Sequence, residues 1–341
     1  MKIGIVGYQG SGKSTLFEWL TGETADPALA HTTQSAMAIV ADPRVPPLCE
    51  IYHPKKITQA SLELCDTPGL HRTHEGSATR LAMIREAGCL VVVIAAYGGS
   101  DAAADLRNFD DDLLIADLDI VTNRIERVRD QTKKPRPGRD DLLKELHALE
   151  PLQAALEAGK HLRDIELTPE QKKSIKAFQL FSDKPRLVVF NVTEDEADPQ
   201  RFAGMVTEGA EAVVVSVPLQ RDLSRMSPEE RADFCAEMGV SLHDRDALVR
   251  QIMSVSGQML FFTAGEKEVR TWMIRKNGTA VEAAASIHTD LANGFIRAEV
   301  MTVDDLVRLG SEREIKTHNL MRHEHKEYEI QDGDILLIRH N

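Results

Sequence analysis

The chain has 341 residues, 42% hydrophobic and 28% charged, an ordinary mix for a globular protein with room for two or three domains. A formal net charge of −13 argues against a general coating of nucleic acid and leaves only local basic patches for such contacts. Cys49, Cys65, Cys89 and Cys235 lie far apart with no CxxC pair, and no apolar stretch reaches membrane-spanning length, so free thiols and a cytoplasmic protein without membrane contact are expected.

Lys2–Val6 reads as a buried strand, and residues 7–15 follow it as Gly-Tyr-Gln-Gly-Ser-Gly-Lys-Ser-Thr, a complete Walker A phosphate loop. Leu16, Phe17, Trp19 and Leu20 then begin a helix. A strand that feeds a glycine-rich turn into a helix aims successive backbone N–H groups at one point. Together with the positive end of the helix dipole, these groups bind a nucleotide's β-phosphate. Gly7, Gly10 and Gly12 let the backbone approach closely, Lys13 reaches the β- and γ-phosphates, and Ser14 offers its hydroxyl to Mg²⁺. Ser11 and Thr15 complete the set of nucleotide-binding candidates in the loop. A chance match has a frequency of ~1% for ordinary residue usage, and the strand–helix context lowers it further.

Ala36–Ala41 and Ser61–Asp66 are the next strand-like runs. The second ends in Asp66-Thr67-Pro68-Gly69, a DxxG whose Asp would hold Mg²⁺ through water and whose Gly N–H would sense the γ-phosphate. Thr32 or Thr33, in the loop between, would complete the Mg²⁺ shell. Leu90–Ala95, Arg186–Asn191 and Ala212–Val217 supply further runs, several apolar nearly throughout, which suits strands buried on both faces of a parallel sheet. With helical patterns between them, the economical fold is an α/β P-loop domain with a doubly wound, mostly parallel sheet.

The stretch from about 110 to 180 is charged and helix-favouring, with a turn at Lys133-Lys134-Pro135-Arg136-Pro137-Gly138-Arg139. It reads as a helical hairpin inserted between two strands. Residues 120–176 hold 13 Lys/Arg against 10 Asp/Glu, and the tip cations Lys133, Lys134, Arg136 and Arg139 form either a solvated turn or a contact for an anionic partner such as RNA. After the hairpin, Asn191-Val192-Thr193-Glu194 stands where GTPases carry Asn-Lys-x-Asp. The Asp of that motif accepts two hydrogen bonds from guanine, and Glu194, one methylene longer, should crowd that pairing unless it is simply a solvated loop acid of the run Glu194-Asp195-Glu196. A missed buried hydrogen bond costs roughly 1–3 kcal/mol, enough to erase a guanine preference. Asn191, Val192, Glu194 and Ser216 are the candidates for the base side.

Toward the C-terminus, Phe261–Thr263 and Val269–Ile274 read as strands and Thr279–Asp290 as a helix. Glu327–Ile330 and Ile335–Arg339 read as a terminal hairpin across Gln331-Asp332-Gly333-Asp334. The expected domains are 1–110 with 181–258 (nucleotide-binding), 111–180 (hairpin) and 259–341 (a small α+β module). His318, His323 and His325 fit no zinc spacing.

In these motifs, and in Phe262–Trp272, Ala283–Asp290, Gly294–Val300 and the ending at 331–334, the chain resembles the YchF group, the Obg-like ATPases, over nearly its whole length. The resemblance implies a switch-type nucleotide domain, an Asn-x-x-Glu base motif, the inserted hairpin and a ubiquitin-like C-terminal TGS domain. It also implies hydrolysis of ATP in preference to GTP, with association with ribosomes and stress responses. Asp42-Pro43-Arg44, aligned with the family, places Thr32 at the switch threonine. Three departures stand out. The family's Gly-x-Pro-Asn-Val-Gly-Lys-Ser is altered in the middle, its Asp-x-Ala-Gly is Asp-Thr-Pro-Gly, and the histidine thought to aid hydrolysis is missing from residues 96–102. Leu70 also stands where switch GTPases place a water-orienting glutamine. Lys13 and Gly69 remain as catalytic candidates, with His71, His74 or Glu75 as replacements or plain loop residues. The leading expectation is a monomeric, slowly hydrolysing ATP (or GTP) switch. A nucleotide-bound scaffold without turnover and a small-molecule P-loop kinase are its rivals.

Overall fold

The computed structural model describes residues 1–71, 77–135, 137–196, 198–206 and 210–341. The chain begins with β1 (Lys2–Val6), α1 (Lys13–Thr21), β2 (Gln34–Ile39), α2 (Val45–Tyr52), β3 (Ile57–Thr58) and β4 (Ser61–Asp66). It continues with α3 (Ser77–Arg85), β5 (Cys89–Ala96), α4 (Ala102–Thr132), α5 (Arg139–Glu157), α6 (Pro169–Ile175) and β6 (Arg186–Val192). Next come β7 (Glu211–Val215), α7 (Val217–Ser224), α8 (Pro228–Met238), α9 (Arg245–Val255), β8 (Gln258–Ala264) and β9 (Val269–Arg275). The last elements are α10 (Ala280–Ile287), α11 (Thr289–Asn293), β10 (Phe295–Thr302), α12 (Val303–Leu309), α13 (Glu312–Thr317), β11 (Arg322–Glu324) and β12 (Asp334–His340). Two compact units result, residues 1–36 with 63–243 and residues 37–62 with 244–341.

The apolar runs become the sheet β2-β4-β1-β5-β6-β7, with β4, β1, β5, β6 and β7 pairing in parallel. Leu90 to Val93 and Leu187 to Phe190 are completely buried, as strands covered on both faces require. Parallel pairing gathers the loops after β1, β4, β5, β6 and β7 at one carboxyl edge, where α/β sheets bind their ligands.

Helix α4 starts earlier than the expected hairpin. Asp101 caps it by accepting a hydrogen bond from Ala104 N–H, and residue 110 lies inside a continuous 31-residue helix. Its first half sends Leu106, Phe109 and Leu113 into the core beneath β5 and β6. Its second half packs Val121 and Ile125 against Leu149, Leu152 and Leu156 of α5. One rod therefore belongs to both the sheet core and the hairpin core. A bidentate pair, Arg124 to Glu145 at 2.7 and 2.8 Å, fastens the two hairpin helices.

The second unit carries the sheet β11-β10-β12-β8-β9-β3, with antiparallel β8–β9, β10–β11 and β10–β12 and parallel β12–β8 and β3–β9. The expected terminal hairpin is not formed. Glu327–Ile330 contributes a single bridge, Thr279 to Glu329, while β12 pairs with β10 and β8. The physical reason is Asp334, almost wholly buried, whose carboxylate accepts from Gln331 N–H, Tyr328 OH and Arg322 and so ties up the turn. The helix expected over Thr279–Asp290 also breaks. His288 is extended (φ −163°), and its Nδ1 accepts Asp290 N–H, capping α11. Arg44, bonded to Asp42 and Asp332, and Tyr52, bonded to Glu312, tie segment 37–62 to the C-terminal residues. Among the described residues, no helix is long and apolar enough to cross a membrane.

Candidate nucleotide-binding site

The loop between β1 and α1 turns sharply, with Gly7 at φ +146° and Gly12 at φ +98°. A Cβ on Gly7 would lie 2.4 Å from the Val93 carbonyl oxygen, and one on Gly12 would lie 2.2 Å from Asn191 Nδ2. Only glycine fits where the loop presses on β5 and β6. Ser11 is buried and its hydroxyl lacks a partner among the described residues, while its carbonyl accepts Asn191 Nδ2 at 3.0 Å. Gly10 is exposed at the mouth of the loop, and Thr15 is half-buried in the first turn of α1.

Lys13 is 6% exposed, and its ammonium donates to the Tyr8 carbonyl at 2.8 Å. Burial pulls its pKa from 10.5 to about 8, with Asp66 opposing the shift and Arg80 adding to it. Phosphate oxygens would favour the charged form, so a nucleotide held by Lys13 would require the protonated lysine. Below about pH 8 this group leaves affinity unchanged; above it, binding must take up a proton, and ATP affinity should fall by up to about tenfold per pH unit. The unliganded fold responds in the opposite sense, because the cost of the buried ammonium is relieved as pH rises from about 8 toward 10.5. Titration calorimetry of ATP in buffers of different ionisation enthalpy would register the proton uptake. A pH-independent affinity from 7 to 9.5 would contradict it.

The Mg²⁺ candidates divide. Ser14 Oγ donates to Asp66 Oδ2 at 2.6 Å, and Asp66 Oδ1 is buried without a partner among the described residues. Burial raises the Asp66 pKa, opposed by the Ser14 hydrogen bond and by Lys13. An orphaned carboxylate oxygen beside a hydroxyl at the phosphate-loop mouth fits a hydrated divalent cation. Thr32 lines the same cavity, but its hydroxyl is bonded to the Leu29 carbonyl at 2.9 Å, so these two groups and Thr32 do not form one ligand set here.

That cavity, about 410 Å³, also takes in Gln9, Gly69, His71 and Arg80. A Cβ built on Gly69 would lie 2.8 Å from Gln9 Cα, Gln9 N and Lys13 Nζ alike, so loop, switch glycine and lysine converge within one atom's width. Arg80 donates to the Gly69 carbonyl at 2.9 Å. Leu70 is fully buried, its carbonyl accepting Gln9 N–H at 2.9 Å and its N–H donating to Gly7 at 3.1 Å. Tyr8 turns away from the cavity, its ring edge-on to Phe109 and its hydroxyl donating to Asp112 of α4 at 2.9 Å. His74 and Glu75 lie outside the described residues.

A second cavity, about 600 Å³, opens beside it and is lined by Tyr97, Val192, Glu194, Ser216, Leu219 and Phe234 among others. Asn191 directly precedes its lining residues Val192, Thr193 and Glu194. Almost wholly buried, it donates to Ser11 and accepts Val217 N–H at 3.1 Å, bracing the phosphate loop against the start of α7. Glu194 is exposed at the cavity wall. The hairpin tip lies elsewhere in the unit, with Lys133, Lys134 and Arg139 exposed; Lys133 pairs with Asp130 at 2.7 Å, and Arg136 is outside the described residues.

Sequence reading missed Tyr97 and Arg80. The Tyr97 hydroxyl donates to the Gly10 carbonyl, joining the walls of the two cavities. An aromatic residue directly after an all-apolar strand and before Gly98-Gly99 was the available signal.

Phosphate loop, DxxG and Asn-x-x-Glu at one edge of a parallel sheet define a P-loop nucleotide-binding protein of the GTPase-like class. A family model described as a 50S ribosome-binding GTPase matches residues 2–134, and the YchF-GTPase C-terminal model, described as "Protein of unknown function (DUF933)", matches 259–341. The chain belongs to the YchF family, the Obg-like ATPases. It is 33% identical to the ribosome-binding ATPase YchF of Bacillus subtilis (strain 168), across 99% of this chain and 98% of that one. It is also 33% identical to Obg-like ATPase 1 of Oryza sativa subsp. japonica, across 100% and 92%. The solved YchF GTPase of Schizosaccharomyces pombe shares the fold, with a TM-score of 0.84 and 24% identity over 99% of this chain and 97% of its own.

Proposed function

We propose that this chain is a Mg²⁺-dependent nucleoside-triphosphate hydrolase that binds ATP at least as well as GTP, turns it over slowly, and acts with the ribosome in the cytoplasm. The observation that carries the nucleotide preference is Glu194 on the wall of the base cavity where an Asp would accept both guanine donors. Lys13 and the loop amides would hold the phosphates, Ser14 and Asp66 the cation, with Thr32 joining them if the loop before β2 rearranges, and Gly69 would report the γ-phosphate. The cation would offset charge that builds on the phosphates during hydrolysis. The ribosomal role is supported by the similarity to the ribosome-binding ATPase YchF of Bacillus subtilis and by the exposed cations Lys133, Lys134 and Arg139. Residues 259–341 would act as the TGS-like module.

The test is calorimetric binding of ATP, GTP and ADP with Mg²⁺, followed by phosphate release with and without ribosomes. Clear GTP preference would overturn the Glu194 argument, and binding without release under both conditions would favour a scaffold. Glu194→Asp, which restores the shorter acid, should move the GTP-to-ATP affinity ratio toward GTP by roughly 10- to 100-fold. An unchanged ratio in competition binding would remove Glu194 from base reading.

A further inference from the structure

Hydrolysis of a γ-phosphate needs a group that holds the attacking water in line with the bond to be broken. Neither usual source is present in this chain. Leu70 is aliphatic and fully buried, with its backbone tied to Gly7 and Gln9. The loop after β5 carries no histidine, and its Tyr97 is engaged with the Gly10 carbonyl.

Gln9, the third residue of the phosphate loop, meets the requirement. Its side chain is exposed and lines the phosphate cavity. Its backbone stands at the meeting point of the switch glycine and the phosphate-binding lysine, since a Cβ on Gly69 would be equally close, 2.8 Å, to Gln9 and to Lys13 Nζ. Tyr8, its neighbour, is directed into the core, whereas Gln9 lines the cavity beside Lys13 and Ser14. We propose that Gln9 positions the attacking water for γ-phosphate hydrolysis, in place of the glutamine that Leu70 displaces. The inference rests on the hydrolase reading above.

A neutral amide suits the task. Its carbonyl oxygen accepts a hydrogen bond from the water while its NH₂ donates to a γ-phosphoryl oxygen. The water oxygen forms a bond to the γ-phosphorus as the bond from that phosphorus to the β–γ bridging oxygen breaks. The electron pair leaves with ADP, and the water's proton passes to a γ-phosphoryl oxygen, giving inorganic phosphate. Gln9 is unchanged at the end.

The experiment uses the full chain with Mg²⁺. Wild type, Gln9→Ala and Gln9→Glu are compared in single-turnover ATP hydrolysis with ribosomes, in ATP binding, and in binding of ADP with aluminium fluoride, a mimic of the transferring phosphoryl group. Gln9 has no left-handed backbone for alanine to strain, so ATP binding by Gln9→Ala also reports an intact loop. The expected result for Gln9→Ala is a hydrolysis rate lower by on the order of 10²-fold, a similar loss of ADP–aluminium fluoride affinity, and ATP affinity within about threefold of wild type. Gln9→Glu keeps the length and the acceptor but loses the donor, and is expected to hydrolyse more slowly than wild type. A Gln9→Ala protein that hydrolyses as fast as wild type, or faster, would overturn the inference and mark the side chain as an obstruction. Equal losses of ATP affinity and rate would also overturn it, since the residue would then merely shape the loop. If wild type itself releases no phosphate, the hydrolase reading and this inference fall together; if wild type turns over and Gln9→Ala matches it, only this inference falls.

Discussion

Lys13→Ala is expected to lower ATP affinity by on the order of 10²- to 10³-fold without lowering the melting temperature of the unliganded chain. The two halves of this result have one cause. Burial disfavours the Lys13 ammonium, whose pKa falls to about 8, and its hydrogen-bond partner is a neutral carbonyl, Tyr8. At neutral pH the empty fold therefore carries a charge whose proper counter-charge comes with the ligand, and removing it costs the fold little. A triphosphate loses a short charge-assisted contact in a cavity where Asp66 is the competing anion. Calorimetry and a thermal melt on the same sample decide the matter. Unaltered ATP affinity would mean that the loop does not bind phosphate as proposed, and a large drop in melting temperature would mean that Lys13 chiefly supports the fold.

The second large effect is expected at Asn191, where binding and stability should fall together. Its side-chain amide spans two structures, donating to the Ser11 carbonyl and accepting from Val217 N–H. Asn191→Ala leaves both backbone groups without their partner at a nearly inaccessible position. Each orphaned group costs about 1–3 kcal/mol, so a loss of about 2–6 kcal/mol in total is expected. The phosphate loop also loses its brace, and ATP affinity should drop more than tenfold. Asn191→Asp keeps the acceptor for Val217 N–H but sets a carboxylate oxygen against the Ser11 carbonyl at a buried position, so it should be at least as destabilising as Asn191→Ala at neutral pH. Urea unfolding of the three proteins gives the order directly. Equal stability of Asn191→Ala and wild type would show that the two units of backbone hold their places without it.

What could be read from the sequence was local. The phosphate loop, the DxxG and the Asn-x-x-Glu are each a few residues joined to a strand, and the strands themselves are apolar runs, so periodicity and spacing located them. The features that escaped depend on partners far away in the chain. Nothing near residues 334–340 reveals that β12 pairs with β10 and β8 and not with 327–330, because both partner strands, Phe295–Thr302 and Gln258–Ala264, lie well upstream in the chain. The grouping of 37–62 with 244–341 rests likewise on Arg44 with Asp332 and Tyr52 with Glu312, separated by more than two hundred residues. At the site, Tyr97 was missed because a hydroxyl bonded to a carbonyl, Gly10, has no signature in residue spacing. The extent of α4 was misjudged for another reason. Its buried stripe changes partners between Leu113, in the sheet core, and Leu114, in the hairpin core, while the helix itself runs on.

That uninterrupted helix also has a mechanical consequence. Tyr8, within the phosphate loop, holds α4 at Asp112, and the helix then runs to Thr132, next to the exposed Lys133 and Lys134. Twenty residues of α-helix span about 30 Å. A rod of that length, pivoting by about 5° at the tyrosine, would sweep its far end through roughly 3 Å, the length of a hydrogen bond. Displacements too small to disturb the sheet would thus be magnified at the hairpin tip, as at the end of a lever arm.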